Sequence, residues 1–247
     1  MSKDAIKLHY ACIADSWSSK LWAKSRSFNA AIAAFVDTTG HERSLDVGIG
    51  AGDLEDFMNM ADVTGVDLSA NMLRRCLKRH PAYKLCIGDA ENLPFNDESF
   101  DFVFCRNLLQ NFDYPQKAFG EMYRVLMVGG KLAVIESAVC EHERQYVTDI
   151  VRVIEPDHPL FPSHEQLRGL FEDIGVHRVE QSIESLHGSW LSDFCESKKV
   201  SQEQRGEIIS ICRNLPEWYS TKYEMSVDSA SDRIDSTLTF SFIRGIK

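Results

Sequence analysis

Apolar and polar positions along the first 185 residues follow two periods, one typical of strands and one of helices. Short apolar runs predict five β-strands, and the segments between them repeat apolar side chains at helical spacing. In residues 115–126, for example, Ala118, Phe119, Met122 and Val125 fall on one helical face. Such an alternation predicts a parallel sheet with helices on both faces. The five runs are residues 44–48, 63–67, 84–88, 100–105 and 131–136.

The last third of the chain predicts two more strands, with a helical stretch between them. Residues 176–183 follow a helix that Ser163 opens, and residues 236–243 alternate apolar with polar side chains. In the stretch between these strands, apolar residues at helical spacing predict one helix around Trp190 and a second around Ile208. Pro216 predicts the start of a third helix, because proline is favoured in the first turn. We therefore predict an α/β fold with a seven-stranded, mostly parallel sheet, helices on both faces and a helical cap insertion before the last strand.

The composition excludes a mainly disordered chain and argues against two classes of partner. The chain has 247 residues, of which 44% are apolar, enough for a large core. It carries 37 acidic and 27 basic residues, a net charge of −10, so we expect neither nucleic acid nor an anionic membrane as a partner. No apolar run approaches the length of a membrane-spanning helix.

The cysteines favour a reducing compartment. Seven of them are scattered without a Cys-x-x-Cys pair, and no stretch has the spacing of zinc ligands. Reduced thiols in a cytoplasmic protein are the simplest interpretation. We therefore expect a cytoplasmic location and no metal centre.

A glycine-rich turn after the first predicted strand is the most informative segment of the sequence. Gly48 and Gly50 let the backbone turn tightly and let a ligand approach main-chain atoms. We expect a helix to follow, with three acids crowded into its first turn. These acids would repel a pyrophosphate at the helix N-terminus and are compatible with a cationic cofactor instead. The acids are Asp53, Glu55 and Asp56.

Two further carboxylates select between cofactors. Asp46 stands two residues before Gly48, where it can organise the turn and meet an ammonium group directly or through water. Asp67 ends the second strand, about 20 residues after Gly48, at the spacing at which an acid accepts hydrogen bonds from both hydroxyls of a ribose. A ribose that lacks a phosphate and adjoins a positive group describes S-adenosylmethionine well and NAD badly.

Four motifs in order make the chain resemble the class I S-adenosylmethionine-dependent methyltransferases. They are the strand and glycine turn, a second-strand motif, a third motif that contains Gly88-Asp89, and the segment that closes the fifth strand. The branch it is most similar to contains the small-molecule methyltransferases of ubiquinone and menaquinone biosynthesis. The resemblance implies a Rossmann-like fold, S-adenosylmethionine as the cofactor, and methyl transfer to a small molecule by in-line displacement. The motifs occupy residues 45–54, 65–73, 88–101 and 124–136.

The resemblance also implies a set of cofactor-binding residues. Asp89 matches the acid that in the family typically binds the adenine amino group. Arg106 and Asn107 end the fourth strand, where ligands bind in open α/β sheets, so we favour contact with the cofactor over a purely structural role. Tyr10 and Trp17 match aromatic positions in a helix that closes over the cofactor, and a packing helix is an equal alternative. The full set is Tyr10, Trp17, Asp46, Gly48, Gly50, Asp67, Leu68, Met72, Asp89, Ala90, Arg106 and Asn107.

We predict four parts in the chain, of which the third should select the methyl acceptor. The parts are an N-terminal helical lid (1–40), the cofactor-binding core (41–185), a helical insertion (186–233) and the last strand (234–247). Aromatic residues of the insertion are candidates for an acceptor pocket. Alternatively, they anchor the insertion to the core. These residues are Trp190, Trp218, Tyr219 and Tyr223.

The sequence assigns no catalytic base. Relatives often carry a histidine near Gln110 or Asn111, and this chain has none there. Alignment of the two reactants can drive methyl transfer without a strong base. The remaining candidates, each more typical of a loop or surface histidine, are His142, His158, His164 and His187.

Two other functions compete with small-molecule methyl transfer. One is a methyltransferase of the same fold that acts on protein or RNA, and the acidic balance argues against RNA. The other is a non-catalytic S-adenosylmethionine-binding protein. The intact glycines and both key acids argue against a degenerate site.

Overall fold

The structure is a computed structural model that describes Lys3, Lys7, Tyr10, residues 20–228 and residues 230–247. Its first six β-strands are the six that were predicted before residue 190, its ninth is the predicted last strand, and its seventh and eighth form a short pair that was not predicted. The strands are β1 (Ser44–Val47), β2 (Val63–Asp67), β3 (Lys84–Ile87), β4 (Phe100–Arg106), β5 (Leu126–Ser137), β6 (His177–Leu186), β7 (Ser226–Asp228), β8 (Arg233–Asp235) and β9 (Leu238–Ile246).

Helices alternate with these strands. The longest of them has 12 residues, and within the described ranges no helix has both the length and the apolar character needed to cross a bilayer. The described residues also form two short 3-10 turns, Leu109–Asn111 and Glu141–Glu143. The helices are α1 (Leu21–Lys24), α2 (Arg26–Val36), α3 (Ala70–Arg79), α4 (Gln116–Val125), α5 (Arg144–Ile154), α6 (His164–Asp173), α7 (Trp190–Ser197), α8 (Gln202–Arg213) and α9 (Glu217–Lys222).

Seven strands form one sheet in the order β3-β2-β1-β4-β5-β9-β6, and β7 pairs with β8 apart from it. Neighbouring strands from β3 to β5 run parallel, whereas β9 is antiparallel to both β5 and β6. The predicted seven-stranded, mostly parallel sheet is therefore confirmed. The order of connection reverses between β1 and β4, and the carboxyl ends beside such a switch point are the usual ligand position in an open α/β sheet.

Helices cover both faces of the sheet because the central strands are apolar on both sides. Phe102 and Phe104 of β4 belong to one core, together with side chains of α2, α5 and α8. Val103 and Cys105 belong to the core on the other face, together with side chains of α4 and α6. This alternation is the two-residue period of a strand. A strand buried on both faces has a continuous apolar sequence, as β4 does over residues 102–105.

No helix follows β1, so the sequence prediction is wrong for residues 48–62. This described segment forms a series of turns, with hydrogen bonds from Phe57 N to Leu54 O (2.9 Å) and from Met58 N to Glu55 O (3.3 Å). The chain must reach β2 within about ten residues of Gly52, the last glycine of the turn. This leaves too little length for an ordinary helix and its connection. The three acids of this segment therefore do not lie in the first turn of a helix.

The segment between β6 and β9 contains α7, α8, α9 and the β7–β8 pair. Its three helices lie where the sequence predicts them, although Pro216 is the N-cap of α9 rather than its first residue. Leu191 of α7 and Ile208 of α8 are buried in the same core as Phe104 and Phe240 of the sheet. The segment therefore packs onto one face of the sheet.

Candidate active site

A cavity at the carboxyl ends of β1, β2 and β4, here called the strand-end cavity, contains most of the predicted cofactor-binding residues. It lies beside the switch point of the sheet. Asn111 and Phe112, from the loop after β4, form part of its wall. The predicted residues that line it are Tyr10, Gly48, Gly50, Asp67, Leu68, Met72, Ala90, Arg106 and Asn107.

Two predicted residues, Asp46 and Asp89, have other positions. A third, Trp17, lies outside the described residues. Asp46 lines an adjoining cavity. Asp89 directly follows β3, where its carboxylate accepts a hydrogen bond from Glu91 N (2.9 Å) and forms an ion pair with Lys3. Asp89 thus orders the turn that contains Ala90.

Asp67 connects the glycine turn to the start of α3. Its Oδ2 accepts a hydrogen bond from Gly50 N at 3.0 Å, and its Oδ1 accepts one from Ser69 N at 2.7 Å. Gly50 has a φ of 60°, a conformation that glycine adopts without strain. Burial raises the pKa of Asp67 to about 6, against the effect of both hydrogen bonds. Each carboxylate oxygen keeps a lone pair, so Asp67 can also accept hydrogen bonds from hydroxyl groups in the cavity.

A second cavity, here called the acidic cavity, adjoins the first on the side of the glycine turn. Asp46, Asp53, Glu55 and Arg106 line it. Burial, and then the neighbouring Glu55, raise the pKa of Asp46 well above its ordinary value. Asp53 Oδ2 and Glu55 Oε2 are buried and have no hydrogen-bond donor within the part of the chain that the structure describes. Buried acceptors of this kind suit a positively charged group.

Arg106 is the cation of the acidic cavity. Its Nη1 donates to Asn29 Oδ1 (3.1 Å) and its Nη2 donates to the backbone oxygen of Trp22 (2.9 Å). Its Nε is buried without an acceptor among the described residues. Burial lowers the pKa of Arg106 to about 10, and the surrounding carboxylates oppose this shift. Arg106 therefore stays charged at neutral pH and can donate to a further acceptor.

A third cavity, here called the aromatic cavity, occupies about 830 Å³ including its open mouth. Seven apolar side chains and several polar ones form its wall. The apolar ones are Trp22, Val151, Phe161, Trp190, Phe194, Leu238 and Phe240, and the polar ones include Lys20, Gln110, Ser137, Glu155, His158 and Lys198.

Asn107 lines all three cavities. It has a φ of 49°, a left-handed conformation that asparagine tolerates better than most residues. Its N–H donates to Ile135 O (2.9 Å), and its Oδ1 accepts a hydrogen bond from Ser137 N (3.3 Å). Tyr10 and Asn111 each line both the strand-end and the aromatic cavity. The three cavities therefore meet around the loop that follows β4.

Glu136 is a site residue that sequence reasoning missed. It is fully buried near the end of β5, and its Oε2 accepts a hydrogen bond from Leu109 N at 2.7 Å. Through this contact it positions the loop that contains Asn107 and Asn111. The signal in the sequence was one acid directly after the apolar residues 132–135 of the strand.

Only one of the four candidate histidines, His158, lines the aromatic cavity. His142 and His187 are exposed, and His187 pairs with Glu224 at 2.7 Å. His164 is buried, and its Nδ1 lies 2.7 Å from Ser241 Oγ. The structure therefore does not bring these three histidines together with the cofactor-binding set.

The four predicted acceptor-pocket aromatics divide in the same way. Trp190 lines the aromatic cavity. Tyr219 packs against Tyr223, Trp218 and Tyr146, with ring centroids 4.6 to 5.7 Å apart. Trp218, Tyr219 and Tyr223 therefore anchor the insertion to α5, which contains Tyr146. This is the alternative role that the sequence left open.

The sequence matches a known family over its first sheet strands. Residues 45–134 match the family described as methyltransferase domain. The demethylmenaquinone methyltransferase of Renibacterium salmoninarum is 37% identical over 115 residues, which are 46% of this chain and 48% of that protein. The chain thus spans about half the length of the curated relatives it matches.

The fold is similar to solved structures over most of the chain. The YcgJ protein of Bacillus subtilis has a TM-score of 0.77 and 21% identity, over 89% of this chain and 97% of that one. Phosphoethanolamine N-methyltransferase 2 of Haemonchus contortus, solved with S-adenosyl-L-methionine, has a TM-score of 0.54 and 23% identity, over 88% of this chain and 52% of that one.

Residues 45–134 are therefore similar to a methyltransferase domain, as the motifs predict, and the fold over most of the chain is similar to that of the two solved structures. The sequence relatives include demethylmenaquinone methyltransferases, of which the Renibacterium protein is an example.

Proposed function

We propose that this protein is a methyltransferase that transfers a methyl group from S-adenosylmethionine to a small molecule by in-line displacement. The observation that carries this proposal is the meeting of three cavities at Asn107. A cofactor in the strand-end and acidic cavities and an acceptor in the aromatic cavity would contact each other there. The name of the Renibacterium relative supports a small-molecule acceptor.

The residues of the first two cavities fit S-adenosylmethionine. Asp67 has lone pairs for the ribose hydroxyls, and the orphaned oxygens of Asp53 and Glu55 suit the ammonium group. Arg106 Nε is a buried donor that suits the carboxylate end of the cofactor. When bound, the cofactor supplies a methyl group that is already activated on a positively charged sulfur.

The contribution of the protein is alignment and exclusion of water. Asn107 and Asn111 hold the boundary between the cavities, and the aromatic wall shields the acceptor from solvent. Alignment of two reactants supplies up to about 7–11 kcal/mol of barrier reduction. Much of the required rate enhancement can therefore come from position alone.

His158 is the proton acceptor in this proposal. Its Nδ1 lies 2.8 Å from Pro159 O, and because a carbonyl only accepts, Nδ1 carries the hydrogen. Its Nε2 therefore keeps a lone pair that can take a proton. Burial lowers the pKa of His158, so the ring is neutral at pH 7.

The four-part division of the chain belongs to the same proposal. Trp190 and Lys198 on the cavity wall support an acceptor-selecting cap at residues 186–233, and Tyr10 and Trp22 support a lid at residues 1–40. Residues 41–185 and the last strand would then hold the cofactor. Six free cysteines in the described part of the chain support a cytoplasmic location.

Calorimetric titration with S-adenosylhomocysteine tests the cofactor assignment. Asp67→Asn keeps the shape of the side chain but replaces an acceptor with a donor, so we expect at least about tenfold weaker binding. His158→Gln alters the aromatic cavity and serves as the matched control, with wild-type affinity expected. Unchanged affinity in Asp67→Asn would refute the assignment.

Transfer of labelled methyl groups into a cell extract tests the activity. The wild type should label the small-molecule fraction, and His158→Gln should label it at least about tenfold more slowly. Label in protein or RNA would favour a macromolecular acceptor instead. Cofactor binding without any label would favour a non-catalytic protein.

A further inference from the structure

Helix α7 turns one face toward the aromatic cavity. Trp190, Phe194 and Ser197 of this helix, and Lys198 directly after it, all line the cavity. Successive residues of this set are four, three and one positions apart, which places their side chains along one side of the helix. This wall therefore combines aromatic surface with a cation.

Lys20 adds a second ammonium group to the same cavity. It is 6% exposed, and its Nζ donates to the backbone oxygen of Asp193 at 3.1 Å. Lys198, by contrast, forms an ion pair with Glu155, and its Nζ lies 5.0 Å from the centre of the Phe194 ring. A buried ammonium group costs free energy unless an anion offsets its charge. Among the described residues, Lys198 has such an anion and Lys20 has only a carbonyl oxygen.

Trp190 supplies a further donor. Its Nε1 is buried and has no hydrogen-bond acceptor in the described part of the chain, although the residue lines the cavity. Almost every buried polar group in a native protein is paired, so an orphaned donor in a cavity wall points to a missing acceptor. A ligand oxygen would supply that acceptor.

We propose that the aromatic cavity takes a methyl acceptor with an apolar, preferably aromatic, body and one carboxylate group that Lys20 and Trp190 recognise. This inference rests on the proposed function and specifies its substrate class. Among the described residues that line the cavity, the charged groups of Lys20, Lys198 and Glu155 leave one positive charge. A carboxylate monoanion neutralises this charge, whereas a phosphate dianion would leave a buried negative charge.

The carboxylate anchors the acceptor and is not the group that is methylated. Lys20 and Trp190 are among the residues that line the aromatic cavity, whereas Asn107 and Asn111 line both this cavity and the strand-end cavity. Methyl transfer takes place where the two cavities meet. The reacting atom of the acceptor therefore lies toward Asn107, and the carboxylate lies toward α7.

Calorimetry on the protein loaded with S-adenosylhomocysteine tests this inference. The probes are 3-phenylpropanoate and its uncharged amide, 3-phenylpropanamide, which have the same shape. We expect the wild type to bind the carboxylate at least about tenfold more tightly than the amide. Lys20→Met keeps the apolar stem and removes the charge, so it should abolish this preference and leave amide affinity within about twofold.

Two matched variants control for the charge of Lys20. Lys20→Arg keeps the charge and should keep the preference. Lys84→Met removes an exposed lysine from β3, an edge strand of the sheet that is distant from the aromatic cavity. This variant should also keep the preference for the carboxylate. Should Lys20→Met fail to fold, Lys20→Gln provides a polar neutral variant with the same expected result.

Three results would overturn the inference. They are wild-type binding of the carboxylate no tighter than of the amide, a preference that persists in both neutral variants, and tighter binding of 3-phenylpropyl phosphate than of the carboxylate. Failure of the loaded complex to form at all would instead overturn the proposed function. The first titration, with S-adenosylhomocysteine alone, separates the two kinds of failure.

Discussion

Glu136 shows how one buried acid orders the loop at the centre of the site. Its carboxyl group accepts hydrogen bonds from the loop backbone, including Leu109 N. Burial nevertheless raises its pKa to about 8, because an ionised carboxylate is poorly solvated in the core. The group is therefore mostly protonated at neutral pH.

We expect Glu136→Gln to change how stability depends on pH. Between pH 4.5, the ordinary pKa of the group, and about pH 8, folded wild type holds a proton that the unfolded chain has lost. The free energy of unfolding of the wild type therefore falls as pH rises through this range, and the amide lacks this contribution. The free energy of unfolding is measured with urea at about pH 6 and about pH 8. Between these two pH values, the stability of Glu136→Gln relative to the wild type should rise by about 2 kcal/mol.

The comparison with Glu136→Ala separates ionisation from hydrogen bonding. Alanine removes the acceptor of Leu109 N that glutamine keeps, so Glu136→Ala should be less stable than Glu136→Gln by about 1–3 kcal/mol at both pH values. Parallel pH curves for wild type and Glu136→Gln would show that the pKa of Glu136 is not raised.

At the scale of the element, α8 shows how a local signal fixes a segment to the sheet. Ser201 Oγ accepts a hydrogen bond from Gln204 N, and Gln204 Oε1 accepts one from Ser201 N, both at 3.1 Å. This reciprocal pair is a capping box at the start of the helix. It sets the helix start from which Ile208 and Cys212 enter the core.

Ser201→Ala should therefore lower the free energy of unfolding by about 1 kcal/mol. Ser210→Ala makes the same change at an exposed position within the same helix and should alter stability by less than about 0.5 kcal/mol. Urea unfolding of both variants measures the difference. Equal costs would mean that the cap does not stabilise α8.

At the scale of the whole molecule, one core joins the sheet to the segment before β9. Leu191, Ile208 and Tyr219 of that segment are buried with sheet residues Phe104 and Phe240. Removal of the segment would expose this core, so point substitutions test its role better than deletion does. A shared core also predicts that sheet and segment unfold together.

We expect a single thermal transition, with the same midpoint by circular dichroism and by tryptophan fluorescence, because Trp190 and Trp218 report on the segment. S-adenosylhomocysteine at about a hundred times its dissociation constant should stabilise the fold by about 2.7 kcal/mol. For a chain of this size, that corresponds to a rise in Tm of about 5–10 °C. An earlier fluorescence midpoint would instead identify residues 186–233 as a separately folding part.

The sequence by itself determined the sheet strands and most of the strand-end cavity. Buried parallel strands are continuous apolar runs, and Gly48, Gly50 and Asp67 follow two of these runs directly. Carboxyl ends of neighbouring parallel strands meet at one edge of the sheet, so spacing along the chain was enough to place these residues together. A tight turn and a buried acid also have few structural alternatives, which makes such motifs specific.

Only the tertiary structure decided which side chains line the aromatic cavity and how the glycine turn continues. Lys20, His158 and Lys198 come from separate parts of the chain, and no local period relates them. Their proximity depends on how helices pack over the sheet, which residues far apart in sequence determine together. The turn at residues 48–62 likewise depends on the distance to β2 rather than on local helix propensity, because tertiary constraints override propensity in short connections.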